Sequence, residues 1–346
     1  MPFSKIRNEK TTPKIVLVGN FGAGNVGDEL ILAGFLKKLT HELSRDRHTR
    51  KARVTVLAAN PQSVRRWHGV TALPTLPCGL RSFFRWNWWR SIQEIKHADL
   101  VIFPGGGLFT DEESWLAVLL WGLHILVARY FWKPVYLLGQ SVGPLTGDRA
   151  KQFTRFCLKK VEWIALRDKA SETEFKQLGV PAKKIKQGKD SAFWLAGKLP
   201  KVKALEKQGR LKILVSVRDY PKIEEEFFTE LQQALDQISE KLPARIYFAE
   251  FGRGDAASWR RVCRQAKHTK LWREIPLRES AEKVLAEVKK FDLVIGMRLH
   301  SLIAAELTGV PSIGLSYSRK ITGLRKESLA IEGFKAEQLL KILNLF

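Results

Sequence analysis

Near the C-terminal end, the stretch FDLVIGMRLHSLIAAELTGVPSIGLSYSRK places Arg298, His300 and Ser301 where an apolar strand gives way to a helix, and Lys320 after the strand that follows. This set suits a small, highly charged anion. Arginine takes a carboxylate or phosphate through two parallel N–H bonds, and lysine acts as a point charge. Histidine, with a free pKa of about 6.5, carries a proton it can give up near neutrality. The first amides of a helix, at the positive end of its dipole, add to the attraction. A histidine at a helix start also serves as a plain cap; the convergence of Arg, His, Ser and Lys at adjacent strand ends is what favours an anion site. Two further arginines close strands in the same manner. Arg167 follows EWIAL and precedes Asp168 and SETEF, which reads as a helix start with Ser171 and Glu174 at capping-box spacing. Arg218 follows LKILVSV. From residues alone, these cations describe a site for a phosphorylated small molecule, in an enzyme or a binding protein.

A second group of motifs is rich in glycine. Gly22-Ala23-Gly24-Asn25-Val26-Gly27 satisfies G-x-G-x-x-G between a strand and a helix, which ordinarily suggests a dinucleotide. Two departures argue otherwise. The second strand ends in Asn60 with no carboxylate for ribose hydroxyls. Asp28 and Glu29 fill the first turn of the helix, where they suit the dipole but repel a pyrophosphate. A hydroxyl-rich ligand fits better, the alternative being a tight turn before an acidic helix start. PGGGLFTD (104–111) and GQSVGPL (139–145) bring Gly106, Gly107 and Gln140 to neighbouring strand ends, where backbone can approach a ligand closely. Asn25, Asp28, Glu29, Gly106, Gly107 and Gln140 are therefore the expected contacts to such a ligand.

The elements that must position these residues are legible as apolar runs followed by helix-length amphipathic stretches, the pattern of βα units around parallel sheets. One series comprises KIVLVG (14–19), RVTVLAA (53–59), DLVIFP (99–104), PVYLLG (134–139) and EWIALR (162–167). A polar, basic stretch from 186 to 210 reads as a linker, and a second series follows: LKILVSVR (211–218), RIYFAEF (245–251), DLVIGM (292–297) and VPSIGLSY (310–317). The expected fold is α/β, with two doubly wound Rossmann-type domains, 1–200 and 201–346, facing an interdomain cleft.

Composition bounds the rest. The 346 residues carry 59 Lys+Arg against 35 Asp+Glu, a formal charge of +24, which attracts anions of any kind. Cys78, Cys157 and Cys263 lie far apart without zinc-site spacing, and the basic N-terminus lacks an apolar leader core, so a cytoplasmic protein with reduced thiols is expected. RSFFRWNWWR (81–90) packs three Trp, two Phe and three Arg together and reads either as a packed loop or as an interfacial membrane contact. WLAVLLWGLHILVARYFW (115–132) reads as a buried or half-buried helix. The Lys and Arg are scattered among acids without a nucleic-acid module, so no nucleic-acid partner is expected.

GNFGAGNVGDELIL, FPGGGLFTD, LLGQSVGPL, ALRDKAS, GKDSAF and the GMRLHS block, in this order over most of the chain, resemble the polysaccharide pyruvyl transferases, nearest to the bacterial, S-layer-anchoring type that acts on cell-wall polymers. The resemblance implies a GT-B-like fold, phosphoenolpyruvate as donor and co-substrate, and no metal. It further implies transfer of the pyruvyl unit as a ketal onto two hydroxyls of a sugar such as N-acetylmannosamine, on a lipid-linked or polymeric precursor at the inner face of the membrane. The family's donor-binding Arg, His and Lys fall on Arg167, His300 and Lys320, with Arg218, Arg298 and Ser301 beside them. The family often has a Tyr-Asp-Pro-Lys type sequence where this chain has Tyr317-Ser318-Arg319-Lys320. A GT-B glycosyltransferase using a nucleotide sugar is the alternative, since fold and cleft would be shared.

Overall fold

The computed structural model describes residues 12–45, 52–77, 88–112, 114–204, 209–220, 223–277, 279–316 and 328–345. Lys320 and residues 81–87 of the aromatic run lie outside the described residues. The chain divides into two compact units, one of Met1–Ala23 with Asp28–Leu195, the other of Gly24–Gly27 with Ala196–Phe346.

The first unit is built on β1 (Lys14–Val18), β2 (Arg53–Ala58), β3 (Thr71–Pro74), β4 (Leu100–Phe103), β5 (Gly106–Phe109), β6 (Val135–Val142), β7 (Trp163–Leu166) and β8 (Ile185–Gln187). They form one sheet in the order β3-β2-β1-β4-β6-β7-β8, with β5 paired to β6 and every pairing parallel. Parallel strands need cover on both faces, and β1 shows the division: Ile15 and Leu17 enter one apolar cluster, Val16 and Val18 the other. α1 (Val26–Ser44) and α2 (Pro61–His68) cover the first cluster, through Leu32, Phe35 and Val64. α3 (Trp88–His97), α4 (Trp115–Tyr130), α5 (Asp148–Leu158) and α6 (Lys169–Gln177) cover the second, through Ile95, Ile125, Cys157 and Phe175.

The second unit repeats the scheme. β9 (Leu211–Ser216), β10 (Ala244–Ala249), β11 (Trp272–Ile275), β12 (Leu293–Gly296), β13 (Ser312–Ser316) and β14 (Ser328–Ala330) form a parallel sheet in the order β11-β10-β9-β12-β13-β14. Its helices are α7 (Glu225–Lys241), α8 (Asp255–Cys263), α9 (Ala281–Val288), α10 (Leu299–Thr308) and α11 (Ala336–Leu345). Ile213, Val215, Phe248 and Ile295 pack against Phe228, Leu235, Trp259 and Leu339.

In both sheets the chain winds outward one way and then returns to the other side of its first strand. The switch points therefore lie between β1 and β4 and between β9 and β12, where open α/β sheets bind ligands.

Three local expectations are corrected. GQSV does not follow a strand end but continues β6, wholly buried. The stretch expected as a linker enters the core first: Ser191 and Ala192 are fully buried, and the Ser191 hydroxyl donates to the Pro104 carbonyl. The cap of α6 is Asp168, whose Oδ1 accepts the Ser171 amide at 2.7 Å, so the helix starts three residues before the expected SETEF cap.

Candidate active site

At the strand ends of the first unit four expected site residues stand side by side. Asp28, on the first turn of α1, is largely buried, and its Oδ2 accepts from Asn20 Nδ2 at 3.2 Å. Gly106 lies beside it: a Cβ built there would sit 3.9 Å from Asp28 Oδ1. The Gly106 φ of 106° is one that side chains rarely adopt, which lets the backbone turn beneath the carboxylate. In the sheet Gly106 pairs with Gln140. Gln140 is fully buried; its Nε2 donates to the Phe103 carbonyl at 3.3 Å, and its Oε1 has no hydrogen-bond partner among the described residues. The Gln140 main-chain carbonyl in turn accepts the Arg167 amide at 3.1 Å. Gly107, next to Gly106, is exposed.

Two other expected contacts are placed differently. Glu29 is buried with both oxygens engaged, one by the Gly22 amide at 2.6 Å and one by His68 Nε2 at 2.8 Å. Its side chain and that of His68 are each 4% exposed, and Glu29 ties the glycine turn to α2. Asn25 Oδ1 accepts the Gly27 amide at 3.0 Å, the local turn that opens α1.

Arg167 is held by a network that sequence reasoning missed. Its Nε donates to Ser141 Oγ at 2.6 Å and its Nη1 to Asp190 Oδ2 at 2.6 Å. The Ser141 hydroxyl donates to Asp168, whose other oxygen caps α6. Asp190 Oδ1 accepts the Ala192 amide at 2.9 Å. The adjacent Asp168 comes only to 4.0 Å of Arg167; the tight counterion is the distant Asp190. The side chains of Arg167 and Asp190 are 7% and 4% exposed. Two bonds fix the guanidinium plane, and the Nη2 edge has no acceptor among the described residues, so it is the edge that can meet an anion.

In the second unit Arg218 and Arg298 follow neighbouring strands, β9 and β12, joined where the Met297 amide donates to the Ser216 carbonyl at 2.8 Å. The Arg218 guanidinium lies 5.4 Å from the Tyr220 ring centre. Arg298 is the N-cap residue of α10, and its guanidinium grips Asp255, with Nε 3.1 Å from each carboxylate oxygen and Nη2 also on Oδ1. Asp255 is fully buried at the start of α8 and holds the Gly252 amide at 2.8 Å. Burial pushes its carboxyl above the usual range, against the opposing pull of Arg298. Arg298 thus joins α10 to α8. Ser301 is fully buried, and both its hydroxyl (2.7 Å) and its amide (3.0 Å) donate to the Arg298 carbonyl. His300, half-buried, is the second residue of α10.

A concavity of about 430 Å³ in this unit is lined by Tyr220, Phe227, Ser316, Ile331 and by Glu224 and Glu332. Its carboxylates suit no polyanion, so it does not compete with the cationic strand ends.

The polysaccharide pyruvyl transferase family model matches residues 25–319. The chain belongs to that family. It is a family of transferases that act on polysaccharide. The amylovoran biosynthesis protein AmsJ of Erwinia amylovora is 26% identical over 255 residues, covering 68% of this chain and 60% of AmsJ. Among solved structures, a putative UDP-N-acetylglucosamine 2-epimerase from Listeria monocytogenes aligns over 96% of this chain and 87% of its own, with TM-score 0.63 and 13% identity. The UDP-GlcNAc 2-epimerase of Methanocaldococcus jannaschii aligns over 96% and 92%, with TM-score 0.62 and 12% identity. The lipopolysaccharide outer core galactosyltransferase WaaB aligns over 96% and 90%, with TM-score 0.56 and 14% identity. At such identities the likeness is one of fold, and the fold is GT-B-like.

Proposed function

We propose that this pyruvyl transferase family member takes phosphoenolpyruvate as donor and moves its pyruvyl group, as a ketal, onto two hydroxyls of a saccharide in the assembly of a cell-wall or exopolysaccharide. The family match across residues 25–319 carries this reading. Arg167, His300 and Lys320 are the donor residues that the family pattern assigns, with Arg218 as a further cation. Arg167 enters pre-oriented: Ser141 and Asp190 hold its plane, so little freedom is lost when Nη2 meets a carboxylate or phosphate.

In the reaction, one sugar hydroxyl attacks the substituted carbon of the enol phosphate while the methylene carbon takes a proton and becomes a methyl group. The second hydroxyl then displaces phosphate and closes the ketal. The two hydroxyl protons balance the one delivered to carbon and the one that leaves on phosphate. His300 supplies the carbon-bound proton or, as a cation, stabilises the departing phosphate. Asp28, beside Gly106 and near the exposed backbone of Gly107, orients or deprotonates the sugar hydroxyls.

The acceptor is a lipid-linked or polymeric saccharide, N-acetylmannosamine-containing in the S-layer type. The test is release of inorganic phosphate from phosphoenolpyruvate with a panel of lipid-linked and synthetic saccharides. His300→Ala should abolish it, and near-normal turnover in that variant would remove the role given to His300. Thermal stabilisation by UDP and not by phosphoenolpyruvate would replace the donor.

A further inference from the structure

Helix α4 of the first unit lacks the polar outer face that a surface helix of an α/β protein needs. Its inward side is clear: Val118, Trp121, Gly122, His124, Ile125 and Ala128 are buried. On the opposite side, at 3.6-residue spacing, Leu116 and Tyr130 are exposed and Leu119, Leu120, Leu123 and Val127 are half-buried, Leu120, Leu123 and Val127 resting in part against the core. No Asp, Glu, Lys or Arg stands between Trp115 and Ala128, and burial holds the His124 imidazole down at about 4, neutral near pH 7.

Aromatic side chains mark both ends of this apolar face. Trp115 is 50% exposed at one end; Tyr130 (78%) and Trp132 (86%) stand at the other. Trp132 has φ 59°, the left-handed position after a helix that glycine normally fills. A tryptophan there costs backbone energy and, at 86% exposure, gains almost no packing within the unit.

The flanks of α4 are cationic. On one side Gly122 packs against Phe153 and Cys157 of α5, where Arg149 is exposed one turn before Phe153 and Lys160 lies over the ring of the exposed Phe156. On the other side His124 accepts the Leu76 amide, and the neighbouring α3 exposes Trp89, Arg90 and Lys96.

We propose that α4 docks this protein on an anionic lipid surface, lying in the plane of the interface with Leu116, Leu123, Val127, Tyr130 and Trp132 against the acyl chains and the flanking Lys and Arg among the headgroups. Charge decides between this occupant and a second copy. Two such faces meeting about a two-fold axis would oppose like-charged rims, whereas an anionic bilayer complements them. None of the described helices is long and apolar enough to cross a membrane, so the contact is peripheral. Docking needs no catalysis, so it stands or falls apart from the pyruvyl transfer proposed above.

The test floats the full chain with phosphatidylcholine vesicles, with and without phosphatidylglycerol. The wild type should partition onto anionic vesicles about tenfold or more above neutral ones, and salt should weaken it. Leu116→Gln/Tyr130→Ser/Trp132→Gly should lose about tenfold or more of that binding with an unchanged far-ultraviolet circular dichroism spectrum. Trp132→Gly alone, which the left-handed backbone accepts, should lose a measurable part and keeps the test valid if the triple variant misfolds. Arg149→Glu/Lys160→Glu should erase the preference for anionic over neutral lipid. A wild type that ignores anionic vesicles, variants that bind as it does, or a dimer split by the triple variant in the absence of lipid binding would each overturn the proposal.

Discussion

Asp190 is the residue whose loss should be felt most sharply in the first unit. It is buried, it holds the buried Arg167 through Nη1 at 2.6 Å, and its other oxygen takes the Ala192 amide. Removing one partner of a buried ion pair strands the other charge, at a cost of about 3–5 kcal/mol. Losing the amide acceptor adds about 1 kcal/mol in Asp190→Ala. Asp190→Asn keeps the shape and the Ala192 bond, so it should cost less than Asp190→Ala while still freeing the guanidinium plane. Arg167→Ala/Asp190→Ala removes both charges, and its cost should fall short of the sum of the single variants by about 2 kcal/mol or more. Urea unfolding at pH 7, followed by circular dichroism on the wild type, Asp190→Ala, Asp190→Asn, Arg167→Ala and the double variant, gives all these values. A cost below about 1 kcal/mol for Asp190→Ala, or strict additivity in the cycle, would show that the pair is solvated and that Arg167 is not pre-oriented by it.

Other outcomes follow from the same geometry. His124 binds its proton at about 4 in the fold and near 6.5 when unfolded, so between these values the unfolded state holds more protons and stability rises with pH. About 3 kcal/mol should therefore be lost as pH falls from about 6.5 to 4, and His124→Gln should flatten that part of the stability–pH curve; an unchanged slope would refute the assignment. Gly106→Ala must hold a side chain at φ 106°, which should cost about 1–3 kcal/mol and raise KM for the saccharide more than KM for phosphoenolpyruvate. Steady-state kinetics with each substrate varied would show the opposite pattern if Gly106 faces the donor.

What the sequence made legible follows from burial. Strands buried on both faces, such as KIVLV, LVIF, LKILVS and LVIG, are unbroken apolar runs and were readable as such. The missed strands β3, β8, β11 and β14 are sheet edges, and TALP, IKQ, WREI and SLA carry little apolar pattern because one side lacks a neighbour. β5 was hidden by its glycines. Candidate site residues stand out where their types are unusual for a strand end, as with Asp28, Arg167 and His300. Their partners do not, because Asp190 and Asp255 look like ordinary acids until the fold buries them beside Arg167 and Arg298. Nor does the sequence show that Arg298 and Ser301, expected beside an anion, also make bonds that close the head of α10.

Pyruvyl transfer is read out by incubating the protein with phosphoenolpyruvate and the saccharide panel, then weighing the saccharide. An acceptor should gain the mass of one pyruvyl ketal, with one inorganic phosphate released per acceptor modified and both signals lost in His300→Ala. Phosphate release without a heavier saccharide, or transfer of a sugar from a nucleotide donor to the same acceptors, would contradict pyruvyl transfer.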